Sequence, residues 1–141
     1  MHGDGQDSQG DWIQLLTDPR LMTDLYDAPP ELSRCDLFYV HLDERGDSVT
    51  LGFDTSYLPA RPLPEWQATD FNTFEFHLRF NSVEELRFSG WSAPAPEPVL
   101  TSSGTDGGVN FAARGPGSLL EFTARQVEIT CMRTYLASSA P

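Results

Sequence analysis

The run TFEFHLRF at 73–80 does most to limit what this chain can fold into. Phe74, Phe76, Leu78 and Phe80 fall on one side of an extended strand, and Glu75, His77 and Arg79 on the other. A period of two with rings this large demands a sheet that buries one face and wets the other. Similar alternation recurs through most of the chain. Residues 35–42 and 48–54 read as two strands. They are joined by Asp43-Glu44-Arg45-Gly46-Asp47, a hairpin loop in which Gly46 can take positive φ. The run 83–90 extends the pattern, with Leu86 and Phe88 inward and Glu85 and Arg87 outward. Pro94, Pro96 and Pro98 then mark an edge or a loop. Further strands are expected at 99–102, 109–113, 120–124 and 127–136, separated by turns at 104–108 and Gly115-Pro116-Gly117. Short loops between successive strands predict an antiparallel meander of about seven or eight strands, rolled or in two layers. The class is therefore mainly β.

Only upstream of residue 34 does the period approach four. Residues 12–16 form a first helical piece. Asp18-Pro19 then starts a second, since the carboxylate accepts from free backbone N–H groups and proline has none to lose. Leu21, Met22, Leu25 and Tyr26 share one face, and Pro29-Pro30 ends the element. These short N-terminal helices are expected to cover one face or edge of the sheet. A length of 141 residues fits one domain, here a flexible acidic tail at 1–10 and a single domain over 11–141. Trp66 and Trp91, each closing a turn next to Pro or Gly, are expected to be buried anchors.

The chemistry is read mostly from what is missing. All nine basic residues are Arg and face 21 acids, for a net charge of -12. That balance disfavours nucleic acid and anionic membranes as partners. No apolar run approaches the ~18 residues of a membrane helix, and the start has no apolar leader segment, so a cytoplasmic location is expected. His2, His41 and His77 have no His or Cys at ligand spacing beside them, so no metal site is expected. Zero Lys excludes Schiff-base chemistry. There is no Gly-x-Ser-x-Gly elbow and no phosphate loop, and no cofactor is expected. Cys35 and Cys131, in apolar strand-like segments, read as reduced thiols. Glu75, Glu85 and Glu121 lie outward beside Arg79, Arg87 and Arg125, where cross-strand Glu–Arg pairs contribute about 0.2–1 kcal/mol each. An enzyme is disfavoured. A small-ligand carrier on a rolled sheet would need an empty cavity, where Phe74, Phe76, Phe80, Phe88, Phe111 and Phe122 look like filling.

Charge is unevenly placed. Residues 1–54 carry 12 acids and 3 Arg, and residues 55–141 carry 9 and 6. Asp24, Asp27 and Glu31 around the helices, with Asp43, Glu44 and Asp47 at the first hairpin, form a candidate docking face for a basic partner. Helix capping and solubility account for some of the same acids.

Several runs resemble one family: WIQLL at 12–16, LYDAPP at 25–30, HLDERGDSVTLGFD at 41–54, LPARPLPEW at 58–66, VEELRFSGW at 83–91 and GPGSLLEF at 115–122. In this order they are similar to the immunity protein 50 family of bacterial polymorphic toxin systems, frequent in actinobacteria. None is a catalytic signature. The resemblance implies a non-enzymatic cytoplasmic protein that binds and neutralises a cognate toxin, and it assigns no functional residue. The charge adds a further expectation, a basic toxin such as a nuclease with its substrate groove occluded.

Overall fold

The computed structural model describes residues 11–90, 97–104 and 108–138. The tail at 1–10, Trp91 and the centre of the 104–108 turn lie outside them. Eight strands form: β1 (Asp36–Asp43), β2 (Ser48–Thr55), β3 (Thr73–Asn81), β4 (Glu84–Ser89), β5 (Glu97–Ser102), β6 (Val109–Gly115), β7 (Ser118–Ala124) and β8 (Gln126–Tyr135). They pair into two antiparallel four-stranded sheets, ordered β1-β2-β3-β8 and β4-β7-β6-β5. The mainly-β, two-layered expectation holds.

One departure from a plain meander organises the fold. β3 does not pair with β4, nor β7 with β8. Each consecutive pair is one long bent strand that leaves the first sheet and enters the second. The register runs through the bend: Phe80 faces Val127, Asn81 faces Gln126 and Glu84 faces Thr123. Arg125 N–H donates to Asn81 O at 3.0 Å inside the corner. Two strands thus belong to both layers, and folding at the corner closes the layers over one core.

That core is aromatic. Phe74, Phe76, Leu78 and Phe80 are fully buried, as the alternation requires, together with Val127 of the same sheet and Val109, Phe111 and Phe122 of the second. Phe80 meets Phe122 edge-on at 4.9 Å and Phe111 at 5.6 Å, clasping one sheet to the other. Such pairs add about 0.5–1.5 kcal/mol each beyond the area they bury.

The N-terminal segment covers the open side of the layers. A 3-10 turn at Asp11–Leu15 leads to one four-residue helix, α1 (Arg20–Thr23), and a second 3-10 turn at Leu32–Arg34. Trp12 stacks on Phe76 at 5.6 Å and donates its indole N–H to Pro30 O at 2.9 Å. Leu16 forms a bridge to Val127, and Thr17 N–H donates to Val127 O. Met22, Leu25 and Tyr26 are buried as expected, while Leu21 is exposed. The helix stops earlier than its apolar spacing suggests. Arg61 explains the stop: its Nη2 donates to Thr23 O at 3.0 Å, and its Nε donates to Asp24 O at 2.9 Å. A guanidinium from another loop takes the terminal carbonyls that a longer helix would have used.

Three further expectations are corrected. Leu86 and Phe88 do not point into the core; they are 41% and 42% exposed. β4 is the edge strand of the second sheet, and a register shift between Glu84 and Arg87, with Glu85 at φ 56°, turns its side chains. The positive φ of the first hairpin falls on Asp47 (52°), not Gly46. Trp66 is partly buried, packing on Phe74 at 5.7 Å from the rim; among the described residues the buried indole is that of Trp12.

Candidate functional site

The six acidic residues singled out in the sequence fall in two groups. Glu31 precedes β1 and Asp43 ends it. The eight residues of β1, rising at about 3.3 Å each, lie between the two groups. In the first group, Asp27 is ion-paired with Arg61, and Glu31 lies 3.7 Å from Arg34. Asp24 is exposed at the end of α1. Glu31 also lines a cleft of ≈470 Å³ between the N-terminal cover and β5, with Trp12, Leu32 and Leu100.

The second group gains members that the sequence reading did not connect with it. Val83 N–H donates to Asp47 O at 2.8 Å, so the β1–β2 hairpin is tied to the bend before β4. Asp43, Glu44 and Asp47 then line one cavity of ≈420 Å³ with Glu84 and Glu85. Its apolar lining is Leu42, Val49, Val83 and Leu86. None of the five carboxylates is ion-paired with a described residue. Asp43 has a structural duty as well, since Oδ1 accepts from Arg45 N–H and Gly46 N–H and shapes the turn. Arg45, in that turn, offsets part of the charge.

A second surface is the outer face of the first sheet, which is laid out in rows by the register. Asp36, Asp54, Glu75 and Arg133 form one row across β1-β2-β3-β8. Tyr39, Gly52, His77 and Cys131 form the next, followed by His41, Thr50, Arg79 and Glu128. Glu75 is only 5% exposed although it lies on the outer side of a central strand. Arg133 Nε donates to its Oε1 at 2.9 Å, and His77 Nε2 lies 2.7 Å from its Oε2. Its partners are therefore Arg133 and His77 rather than Arg79. Likewise Glu121 is held by Arg114 at 2.7 Å and Arg87 at 3.7 Å rather than by Arg125.

Burial, then the facing Asp36, pushes the Asp54 carboxyl above its usual range, while the Tyr135 hydroxyl, donating at 3.3 Å, pulls it down. Phe38 and Tyr39 stand exposed on β1 and approach His77 at 6.1 and 5.5 Å. A Cβ at Gly52 would lie 2.9 Å from Tyr39 Cβ and 3.3 Å from His77 Nε2, so the glycine makes room for both. Sequence spacing gave no warning of the His77–Cys131 pair, because the two residues meet only through strand pairing.

The cysteines are free and are set apart. Cys35 enters β1 and Cys131 lies in β8, on opposite edges of the sheet. Three strand spacings, about 14 Å, separate those edges, beyond disulfide reach. Burial, followed by the charges of Asp36 and Asp54, pushes the Cys35 thiol up to about 12. Its Sγ donates to Glu31 O.

No helix among the described residues is long and apolar enough to cross a membrane. The family model for immunity protein 50 matches residues 18–135. No curated protein and no solved structure matches the chain.

Proposed function

This chain belongs to the immunity protein 50 family, and from that premise we propose that it is a cytoplasmic, non-enzymatic protein that neutralises a basic cognate toxin by docking on its acidic surface. The observation that carries the docking face is the cavity where Asp43, Glu44, Asp47, Glu84 and Glu85 surround an apolar lining. An Arg or Lys side chain suits such a place: its aliphatic stem covers Leu42 and Leu86 while its charge meets carboxylates. Asp24, Asp27 and Glu31 extend the negative field at the other end of β1. They contribute less, because Asp27 and Glu31 already have Arg partners. A nuclease is the toxin class that this charge suits best, since a groove built for a polyanion accepts a ring of carboxylates.

A carrier function finds little support. The interior between the sheets is filled by Phe53, Phe74, Phe76, Phe80 and Phe111, where a ligand would need space.

The test is survival of cells expressing the cognate toxin. The wild-type chain is expected to protect them. A variant carrying Asp43→Asn, Glu44→Gln, Asp47→Asn, Glu84→Gln and Glu85→Gln, folded by circular dichroism, is expected to protect poorly. Full protection by that variant would move the interface to another face, with the outer side of the first sheet around Glu75, His77 and Arg79 next in line.

A further inference from the structure

The geometry points to a transition-metal site on the outer face of the first sheet: we propose that Glu75, His77 and Cys131 bind a zinc-class dication. His77 and Cys131 are directly opposed on β3 and β8, and Glu75 is two residues from His77 on the same face. One donor atom from each (carboxylate oxygen, imidazole nitrogen, thiol sulfur) lies within 4.8 Å of the others. Carboxylate, imidazole and thiolate together are a donor set that Zn²⁺ takes readily, at bonds of about 2.0–2.3 Å. A tetrahedral ion then needs donor separations of roughly 3.3–3.6 Å. The 2.7 Å His77–Glu75 contact must open by about 0.6–0.9 Å, and the donors that now lie within 4.8 Å of one another must settle to that spacing. Side-chain rotation achieves both, with the backbone register fixed by the strand pairing.

Three surroundings favour the ion. Arg133 holds Oε1 of Glu75 and orients the carboxylate, leaving Oε2 for a metal, the usual arrangement around ligating carboxylates. Gly52, facing His77 from β2, leaves space beside Nε2 that any Cβ would narrow. Asp54 and Asp36 continue the acidic row past Glu75 and favour a dication over a bare thiol–imidazole pair. The binding step balances without a redox partner. The Cys131 thiol proton goes to solvent, and His77 binds as the neutral imidazole with its proton on Nδ1, so that Nε2 is the donor. Three protein ligands leave the fourth position to water. The site stands apart from the acidic cavity and does not depend on the toxin reading.

Cobalt titration of the full chain gives the direct readout, because a cobalt–thiolate bond has its own charge-transfer absorption. The band is expected to saturate at one ion per chain, to be abolished by Zn²⁺ competition, and to vanish in Cys131→Ser while persisting in Cys35→Ser. Alkylation of the unmutated chain supplies a second measurement that does not rely on a variant folding. With zinc at about ten times its Kd, carboxamidomethylation of Cys131 should slow about tenfold. Cobalt binding without a thiolate band, a band that survives Cys131→Ser, or unchanged alkylation of Cys131 in zinc would each overturn the proposal.

Discussion

Trp12 offers the sharpest test of how the layers are closed. Its indole is 3% exposed, lies flat against Phe76 and donates to the buried Pro30 carbonyl. Two substitutions separate these contributions. Trp12→Phe keeps a ring over Phe76 but leaves the Pro30 carbonyl without its donor, which costs about 1–3 kcal/mol. Trp12→Ala also removes the ring and opens a cavity, for about 3–5 kcal/mol. A domain of this size has about 5–15 kcal/mol in total, so the alanine variant should approach the margin. At about 4 °C per kcal/mol, its Tm should fall by roughly 12–20 °C, and that of the phenylalanine variant by roughly 4–12 °C. Urea melts followed by far-ultraviolet circular dichroism give the free energies directly. The order Ala worse than Phe worse than wild type, with unchanged m, is expected. A loss below about 1 kcal/mol for Trp12→Ala would mean that the N-terminal segment only rests on the sheets. The reasoning would then fail at the claim that residues ahead of α1 are part of the core.

Two further outcomes follow from the outer face and the thiols. Asp36→Asn removes a like charge facing Asp54 and should stabilise the chain by about 0.2–1 kcal/mol at pH 7. The folded chain holds the Asp54 proton more tightly than the ordinary value of 3.8, so that proton favours folding in acid and its contribution is lost as pH rises through the folded pKa. The gain from Asp36→Asn should therefore shrink as urea melts are repeated toward pH 4, and a gain independent of pH would contradict the charge argument. Cys35, raised from 9.0 to about 12, carries about a thousandfold less thiolate than an ordinary thiol near neutral pH. Peptide mass spectrometry after brief alkylation of the metal-free native chain should find Cys131 modified well before Cys35, and the reverse order would show that the start of β1 is open.

How much of this was legible in the sequence depended on the range of the interactions involved. The 73–80 alternation identified the buried face of β3 residue by residue, because a central strand paired on both sides by β2 and β8 has no freedom to turn. The same reading failed at 83–90. There the strand lies on an edge, and the shift at Glu85 reorients Leu86 and Phe88 without disturbing a neighbour on the far side. The helix at 18–28 was overdrawn because its end is set by Arg61, some forty residues further on. Local spacing held no trace of that guanidinium. The acids were legible as a count, and the hairpin trio as a turn. That Glu84 and Glu85 join Asp43, Glu44 and Asp47 follows from one backbone bond, Val83 N–H to Asp47 O, which no pattern encodes. Glu75, His77 and Cys131 were hidden for the same reason, being brought together by register alone.

The central claim, that a basic toxin is captured on the acidic hairpin cavity, is tested most directly by association rates with the cognate toxin, measured by stopped flow over a range of salt. Electrostatic steering raises association by about 10–10³-fold and is screened by salt. The wild-type rate should therefore fall steeply as salt rises. The variant neutral at Asp43, Glu44, Asp47, Glu84 and Glu85 should associate at least about tenfold more slowly at low salt, with a flattened dependence. Neutralising Asp24, Asp27 and Glu31 instead should have the smaller effect, since Arg61 and Arg34 already offset two of those charges. Equal rates and equal salt slopes for the wild type and the five-residue variant would contradict the account.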